Sequence, residues 1–474
     1  MINNVFKIIV NKYSNNFRRV NIFISIISFI VCLNVFYPGS YTPDGYWSLM
    51  QINGYVPFND WHPPIIQFVW SILWKLFQSN QLLWLTQLTL FTLLVLKFSK
   101  TIKNSLLSTL TIVVLLLFPP LSTSMSIFWK DSWYIIWGLG MYTYLFNYLE
   151  KKKILDFIIS IIFLVLFILT RYNAFIVVFP FLYIILITAR SNPIYKWKFF
   201  TLIKPKLRSI LLVISIVTMV IITQMFVSKL LVNLTLNSWQ LNIVYDLTGI
   251  SVNSNKLVFP QYILEGKYVK PPTLNELKEI YKVSTADSLL WRADDKFIFP
   301  ITNQVNIGKF QVSNNELKEL VVVWIKAIIS NPKDYIKHRL LNYNEQLGLT
   351  SEKVCAPYHH GINLYGVLPN IFDWKYVESP NNKQYFEFLD KYIANSIIFR
   401  GYFYLIITVI LLFWFIFKRD FKSPESNLIY SSILVFFSNM FLLTSCDFRY
   451  ILWPVIAIIM SLFWLIDKRI SIKS

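Results

Sequence analysis

Residues 154–189 read ILDFIISIIFLVLFILTRYNAFIVVFPFLYIILITA, two long apolar runs broken only at Arg171-Tyr172-Asn173. Each run, 154–170 and 173–189, approaches the roughly 20 residues that a helix needs to cross a bilayer. The stretch therefore reads as a transmembrane hairpin with a charged, polar turn. Working outward, comparable runs occur at 20–37, 81–97, 104–120, 133–149, 209–229, 397–417, 427–444 and 449–466. That makes ten spans. Composition agrees: the 474 residues are 55% hydrophobic and 15% charged, with a mean hydropathy of +0.50. Such a chain is a polytopic membrane protein rather than a soluble domain.

Orientation follows from the positive-inside rule. Short basic segments lie at 1–19, 97–103, 150–156, 190–208, 418–425 and 467–474 and hold 22 Lys/Arg against five Asp/Glu. All six fall on the cytoplasmic side if both termini are inside and the stretch 63–78 does not cross. That stretch is short, opens on Pro63-Pro64 and contains Lys75, which suits an interfacial or re-entrant helix. The first apolar run has no small-residue cleavage site after it and reads as a retained anchor. Most of the +20 net charge is thus a topological signal that also attracts anionic lipid, and nucleic acid is excluded as a partner.

The chain divides into a membrane module at 1–229, a nearly neutral outer segment at 230–396 with 17 Lys/Arg and 16 Asp/Glu, and closing helices at 397–474. In the outer segment, LNELKEIY at 274–281 and NELKELVVVWIKAII at 315–329 place apolar residues three and four apart, as helices do. Asn331-Pro332 stops the second, and DYIKHRLLNYNEQL at 334–347 predicts a third. The 40 Phe, 27 Tyr and 16 Trp suit interface belts and pockets that stack flat ligands. Cys32, Cys355 and Cys446 have no metal-site spacing and predict no structural disulfide.

The outer side keeps the unusual charges. The first outer loop, 37–62 with its Pro-Pro close, reads YPGSYTPDGYWSLMQINGYVPFNDWHPP and carries Asp44 as a helix cap, then Asp60 and His62. A carboxylate there can take a proton from a hydroxyl nucleophile or hold a divalent cation. The second outer loop, 119–133, brings Lys130-Asp131, an ion pair or a second carboxylate beside a phosphate contact. Arg171 with Asn173, and Asp447-Phe448-Arg449-Tyr450, add arginines whose planar forks suit phosphate oxygens. Arginines at helix ends often only snorkel, but the positive-inside bias leaves outer ones needing another reason. His338-Arg339 and His359-His360 close the outer segment, the latter pair reading as mostly surface, with a loop contact over the site as the second reading.

On these residues the chain resembles the GT-C superfamily, polytopic glycosyltransferases that use polyprenyl-phosphate-linked sugars. That pattern places an Asp in a long first outer loop, an HPP-like close, and a second acidic motif in the second outer loop. Asp44, His62-Pro63-Pro64 and Lys130-Asp131 stand at matching places. RYNAF at 171–175, VYDLTGIS at 244–251, YIKHRLLNY at 335–343 and DFRYILWP at 447–454 resemble a bacterial GT-C-like family. The resemblance implies an all-α, GT-C-like bundle of about ten helices in the bacterial inner membrane, with a mainly helical extracytoplasmic domain. It implies sugar transfer from a polyprenyl-phosphate donor to an envelope glycan such as O-antigen. By the same resemblance Asp44 is the base or acceptor-orienting carboxylate, and Asp131 assists, with a divalent cation if one is used. Arg171, Arg449 and Lys130 would steady the departing phosphate, while His62, Asp60, Asn173 and Tyr450 contact substrate. The WWD-type motif of the metal-dependent oligosaccharyltransferases is absent from the sequence. Competing expectations are an O-antigen polymerase or ligase, a lipid-linked-sugar flippase, and a non-enzymatic envelope-assembly scaffold.

Overall fold

In a computed structural model, residues 2–188, 205–290, 299–301, 310, 312–362 and 378–473 are described, and the basic stretch predicted at 190–208 falls mostly outside them. Every one of the ten apolar runs is helical within these limits. The elements are α1 (Ile2–Phe36), α2 (Pro43–Ile52), α3 (Pro64–Phe77), α4 (Asn80–Ser99), α5 (Ser105–Leu117) and α6 (Pro119–Ser126). Then come α7 (Lys130–Lys151), α8 (Ile154–Thr170), α9 (Val178–Thr188) and α10 (Pro205–Leu231). The outer segment contributes α11 (Trp239–Ser254), α12 (Leu274–Ile280), α13 (Asn314–Ser330), α14 (Pro332–Leu347) and α15 (Pro380–Phe388). The chain closes with α16 (Gly401–Phe417), α17 (Pro424–Leu442) and α18 (Leu452–Lys473). Among the described residues only isolated β-bridges occur, so the described structure is all-α.

Among the described residues three stretches, Phe17–Phe36, Asn80–Ser99 and Phe448–Ser471, are long and apolar enough on their own to cross a membrane. A fourth is α5 with α6 if that pair, bent by 50°, forms one broken span. Length and hydropathy thus support fewer spans than the ten expected. Helices such as α8 and α16 are only 17 residues long, and α7 and α17 turn polar side chains into the bundle. Tyr142 Oη donates to Asn427 Oδ1 at 2.6 Å, and Trp453 Nε1 donates to Ser431 Oγ at 3.0 Å. Such bonds join polar side chains between helices inside the bundle. Close contact needs small residues too: a Cβ on Gly138 of α7 would sit 2.1 Å from the Trp453 ring.

The bundle has two chemically distinct ends. At one, Asp467 near the end of α18 accepts from the backbone N–H groups of Lys103 (2.9 Å) and Asn104 (2.7 Å). Lys103 also lies 3.9 Å from Glu150, at the far end of α7. The segments 97–103, 150–156 and 467–474 therefore meet. At the other end, about 33 Å away along the 22 residues of α7, lie Lys130 and Asp131. Helix α3 starts there, behind His62, and the chain leaves it there as well, where Tyr41 Oη donates to Asn80 O at 3.1 Å. Both ends of α3 thus sit at the same end of the bundle. Its 14 residues, about 21 Å, are also short for a crossing.

The outer segment has its own core, in which Val244, Leu247 and Ile250 of α11 pack with Leu277, Leu289, Phe299 and Leu320. Both capping boxes are complete: Thr273 with Glu276 starts α12, and Ser313 with Glu316 starts α13. Pro332 at N1 and Gly348 at the left-handed C-terminal position bound α14. One cysteine expectation fails. Cys355 and Cys446 form a disulfide, with Cα atoms 5.9 Å apart, while Cys32 is free and buried. A sequence separation of 91 hides the pair from any spacing rule.

Candidate functional site

Backbone stitches gather the outer loops. Ser40 N donates to Ser126 O (2.8 Å) and Phe128 N to Ser40 O (2.9 Å), so the first and second outer loops pair. Tyr41 N donates to Gly361 O (2.9 Å), which adds the loop that carries His359. On the other flank Cys446 N donates to Ser284 O and Ala286 N to Thr444 O (2.7 and 2.6 Å), tying the outer segment to the residues just before Asp447. These contacts bring five separate stretches of chain to one place.

Helix α2 presents the first carboxylate. Its cap is Thr42, whose side chain accepts from Gly45 N, with Pro43 at the first helical position. The expected cap, Asp44, lies one residue further in, where the hydroxyl has already met the orphan amide. Its carboxylate is consequently free to reach Arg449 Nη1 at 2.8 Å and His62 Nε2 at 3.5 Å. Gly45 makes the approach possible, since a Cβ there would lie 2.2 Å from Phe128 O. Lys130 Nζ meets His62 Nδ1 at 2.5 Å, so His62 bridges Lys130 and Asp44.

Arg449 is the hub. Besides Asp44 it faces Asp447 (Nε to Oδ2, 3.2 Å) and Asp131 (Nη1 to Oδ2, 3.8 Å). Its guanidinium lies 5.1 Å from the ring centres of both Trp129 and Tyr450. Tyr450 also holds Arg171 on its ring, 4.9 Å from the centre, and accepts from Arg449 Nη2 at 3.3 Å. Arg171 pairs with Asp131 and donates through Nε to Asn173 Oδ1 at 3.2 Å. The sequence left open an ion pair between Lys130 and Asp131. The carboxylate instead turns to the two arginines, since neighbours on a helix do not face each other.

Charge in this cluster nearly cancels, with Asp44, Asp131 and Asp447 set against Lys130, Arg171 and Arg449. Burial works to raise the Asp44 carboxyl, but His62, Arg449 and Lys130 outweigh it and hold it well below the ordinary range. Asp447 is lowered in the same way, burial being overcome by Arg449 and His359. Burial and the Lys130 ammonium push the His62 imidazole below 6.5 despite Asp44, so the ring is neutral at neutral pH. The neutral ring can accept at Nδ1 from Lys130 and present N–H at Nε2 to Asp44. Three buried polar atoms, Arg449 Nε, Asp131 Oδ2 and His62 Nε2, make ion-pair contacts yet no directed hydrogen bond. The site has spare capacity for a further polar group.

The remaining predicted residues separate. Asp60 accepts at its carboxylate from Leu236 N (2.5 Å) and Asn237 N (3.2 Å), fastening the start of the outer segment. Asn173 reaches Asn439 at 3.5 Å beside the arginines. His359, read from sequence as mostly surface, is 15% exposed and bonds Asp447 Oδ2 at 3.0 Å with its ring edge on Trp129. The second reading, a loop contact over the site, holds for His359, because the disulfide and the Gly361 stitch press its loop onto the site. His360 turns away and stacks on Phe386.

Two features escaped the sequence. Asp287, two residues beyond the Thr285–Ser445 bridge, is open to solvent on one side. Its carboxyl is raised, first by loss of surrounding water and then by Asp44 and Asp447, against Thr285 and Arg449. It is the outer segment's contribution to the field of the cluster. Asp246 forms a second, closed cluster with Arg339 (2.7 Å), His338 (3.3 Å) and Trp324 Nε1 (2.9 Å), all inside the outer segment. Only pairings across the fold reveal either.

A metal finds no set of ligands here. Among the described residues no group of three or more His, Cys, Asp or Glu side chains is arranged to hold one, and the three carboxylates already face arginine. No protein family and no curated protein matches the sequence. Among solved structures, the fold is similar to the archaeal oligosaccharyltransferase AglB from Archaeoglobus fulgidus, determined with an inhibitory peptide and a dolichol-phosphate. The TM-score is 0.39 and the identity 13%, over 94% of this chain and 50% of that one, so the chain spans half the length of that protein.

Proposed function

We propose that this chain is a GT-C-type glycosyltransferase that moves a sugar from a polyprenyl-phosphate donor to an envelope glycan on the extracytoplasmic side. The observation that carries the reading is Arg449, which joins Asp44, Asp131 and Asp447 at one end of an apolar bundle. A lipid-linked phosphate reaches a site only at such a membrane edge. There a guanidinium stabilises the phosphate as the sugar leaves, and a carboxylate takes the proton of the acceptor hydroxyl.

The pairing suggests an order of events. Arg449 holds Asp44 as a weak base while the site is empty. A donor phosphate competing for Arg449 draws it away and raises the basicity of Asp44. The neutral His62, braced by Lys130, then keeps the carboxylate oriented toward the acceptor. Arg171, locked to the buried Asp131, positions Tyr450 and with it Arg449. No step requires a metal. The Cys355–Cys446 disulfide beside Asp447 supports the extracytoplasmic side, because disulfides persist in oxidising compartments. The bacterial inner membrane, ten spans and an O-antigen acceptor belong to the same reading.

The test is transfer in vitro. The purified chain in detergent or nanodiscs is supplied with polyprenyl-phosphate sugars and lipid-linked glycan acceptors, with and without chelator. Turnover that persists in chelator is expected. No turnover with any donor, from protein shown to be folded, would overturn the reading in favour of transport or a scaffold.

A further inference from the structure

The outer segment turns an apolar, basic face away from its own core. On α13, Val322, Ile325 and Ile329 follow one another at helical spacing and are 48%, 46% and 73% exposed. On α14, Ile336, Leu340 and Leu341 are 48%, 47% and 39% exposed, and with Lys333 and Lys337 they line a shallow groove. The opposite faces of both helices are buried, through Leu317, Leu320 and Ala327 on α13 and His338, Arg339, Asn342 and Gln346 on α14. A contiguous patch of this kind marks an interaction surface.

Its position says what covers it. Arg339 Nη1 donates to Leu443 O at 2.6 Å, at the terminus of α17. Seven residues on, Gln346 and Leu347 press against Gly401, the first residue of α16, where a Cβ would lie 2.9 Å from Gln346 O. Arg400 Nη1 donates to Gly348 O at 2.6 Å beside it. Those seven residues advance about 10 Å, about one spacing between packed helices. So α14 lies across the ends of two neighbouring apolar helices, in the plane where the bilayer surface must run. Lys326, Lys333 and Lys337 are exposed on the same two helices, and between residues 321 and 341 the one acid, Asp334, is half-buried. Apolar residues flanked by lysines, lying at the interface plane, fit a leaflet with anionic headgroups.

We propose that α13 and α14 form a foot by which the outer segment rests in the leaflet on the site's side, apolar side chains among the acyl chains and lysines on lipid phosphates. The inference concerns membrane contact and stands whether or not the site transfers sugar.

The test uses the full chain in proteoliposomes of phosphatidylcholine, with and without phosphatidylglycerol. A nitroxide is attached at Ile329→Cys or Leu340→Cys, with Lys270→Cys, an exposed position of the same segment, as the aqueous control. Collisional relaxation by oxygen and by a water-soluble nickel chelate should place positions 329 and 340 about 5–10 Å below the headgroups, with the control in water. Phosphatidylglycerol should deepen the two positions, and a Lys326→Gln, Lys333→Gln, Lys337→Gln variant should lose that dependence. Accessibility to the nickel chelate equal to the control would overturn the proposal. So would shielding from both reagents, which would mean a protein partner or a second copy covers the face. A depth indifferent to phosphatidylglycerol would overturn the headgroup contact. Transfer activity is not read, so this result and that of the transfer assay fail independently.

Discussion

Removing either member of the Asp131–Arg171 pair should destabilise the protein far more than removing both. The side chains are 1% and 10% exposed, and the pair lies under Tyr134 and Tyr450, whose rings flank the guanidinium. Asp131→Leu leaves Arg171 with Asn173 as its only nearby acceptor among the described residues. Arg171→Met leaves a buried carboxylate whose remaining cation, Arg449, is 3.8 Å away and shared with two other acids. Breaking a buried pair from one side costs about 3–5 kcal/mol, whereas an apolar replacement of both members is often nearly neutral. Against a net stability of about 5–15 kcal/mol, each single variant would lose a large share. The double variant should recover most of it. The assay is a double-mutant cycle on unfolding in mixed micelles, read by tryptophan fluorescence, with the four proteins compared under identical lipid and detergent. Single variants within about 1 kcal/mol of the parent, or a double variant whose loss is the sum of the singles, would refute a desolvated pair. The double variant should still lose transfer activity, since Tyr450 and Arg449 would no longer be braced.

Gly45→Ala should push α2 off Phe128 O, a backbone atom 2.2 Å from the added carbon, and so depress transfer and lower the thermal midpoint; unchanged kcat in the folded variant would show that the approach is not needed. Glu316 in the outer segment is held down to about 2 from 4.5, burial being outweighed by bonds from Lys267, Ser313 and Tyr268. Its lowered value means its contribution is complete above pH 4.5 and is lost as pH falls toward 2. Glu316→Gln should flatten the acid limb of the stability profile, and an unaltered limb would contradict this. Replacing Cys355 and Cys446 by Ser removes a crosslink over 91 residues, about 4–5 kcal/mol by chain entropy. Thermal denaturation should move down accordingly, and an unmoved midpoint would argue that the crosslink constrains nothing.

The sequence showed the parts that obey local rules. Apolar runs became helices, apolar spacing at 274–281 and 315–329 marked two more, and boundary charges at Asp44, His62, Lys130, Asp131, Arg171 and Arg449 marked the end of the bundle where the site forms. What it could not show were pairings set by packing. Lys130 and Asp131 are adjacent, yet one turns to His62 and the other to Arg171, because successive side chains leave a helix about 100° apart. Asp44 and Arg449 are separated by 405 residues, and Cys355 and Cys446 by 91. Asp287 carries no local signal at all and joins the field of the site only because residues 284–286 are laced to 444–446. The neutral count of charges in 230–396 likewise hid the segregation of its lysines and apolar residues onto one face.

If Asp44 takes the proton from the acceptor, the turnover of Asp44→Asn beside the parent chain reveals it. Both proteins, shown to be folded to the same extent, are given the same polyprenyl-phosphate sugar and acceptor under single-turnover conditions. A general base contributes about 10²–10⁴-fold, so the rate should fall by that factor, with donor binding retained or tightened because Arg449 is released. A variant that transfers sugar as fast as the parent would contradict it.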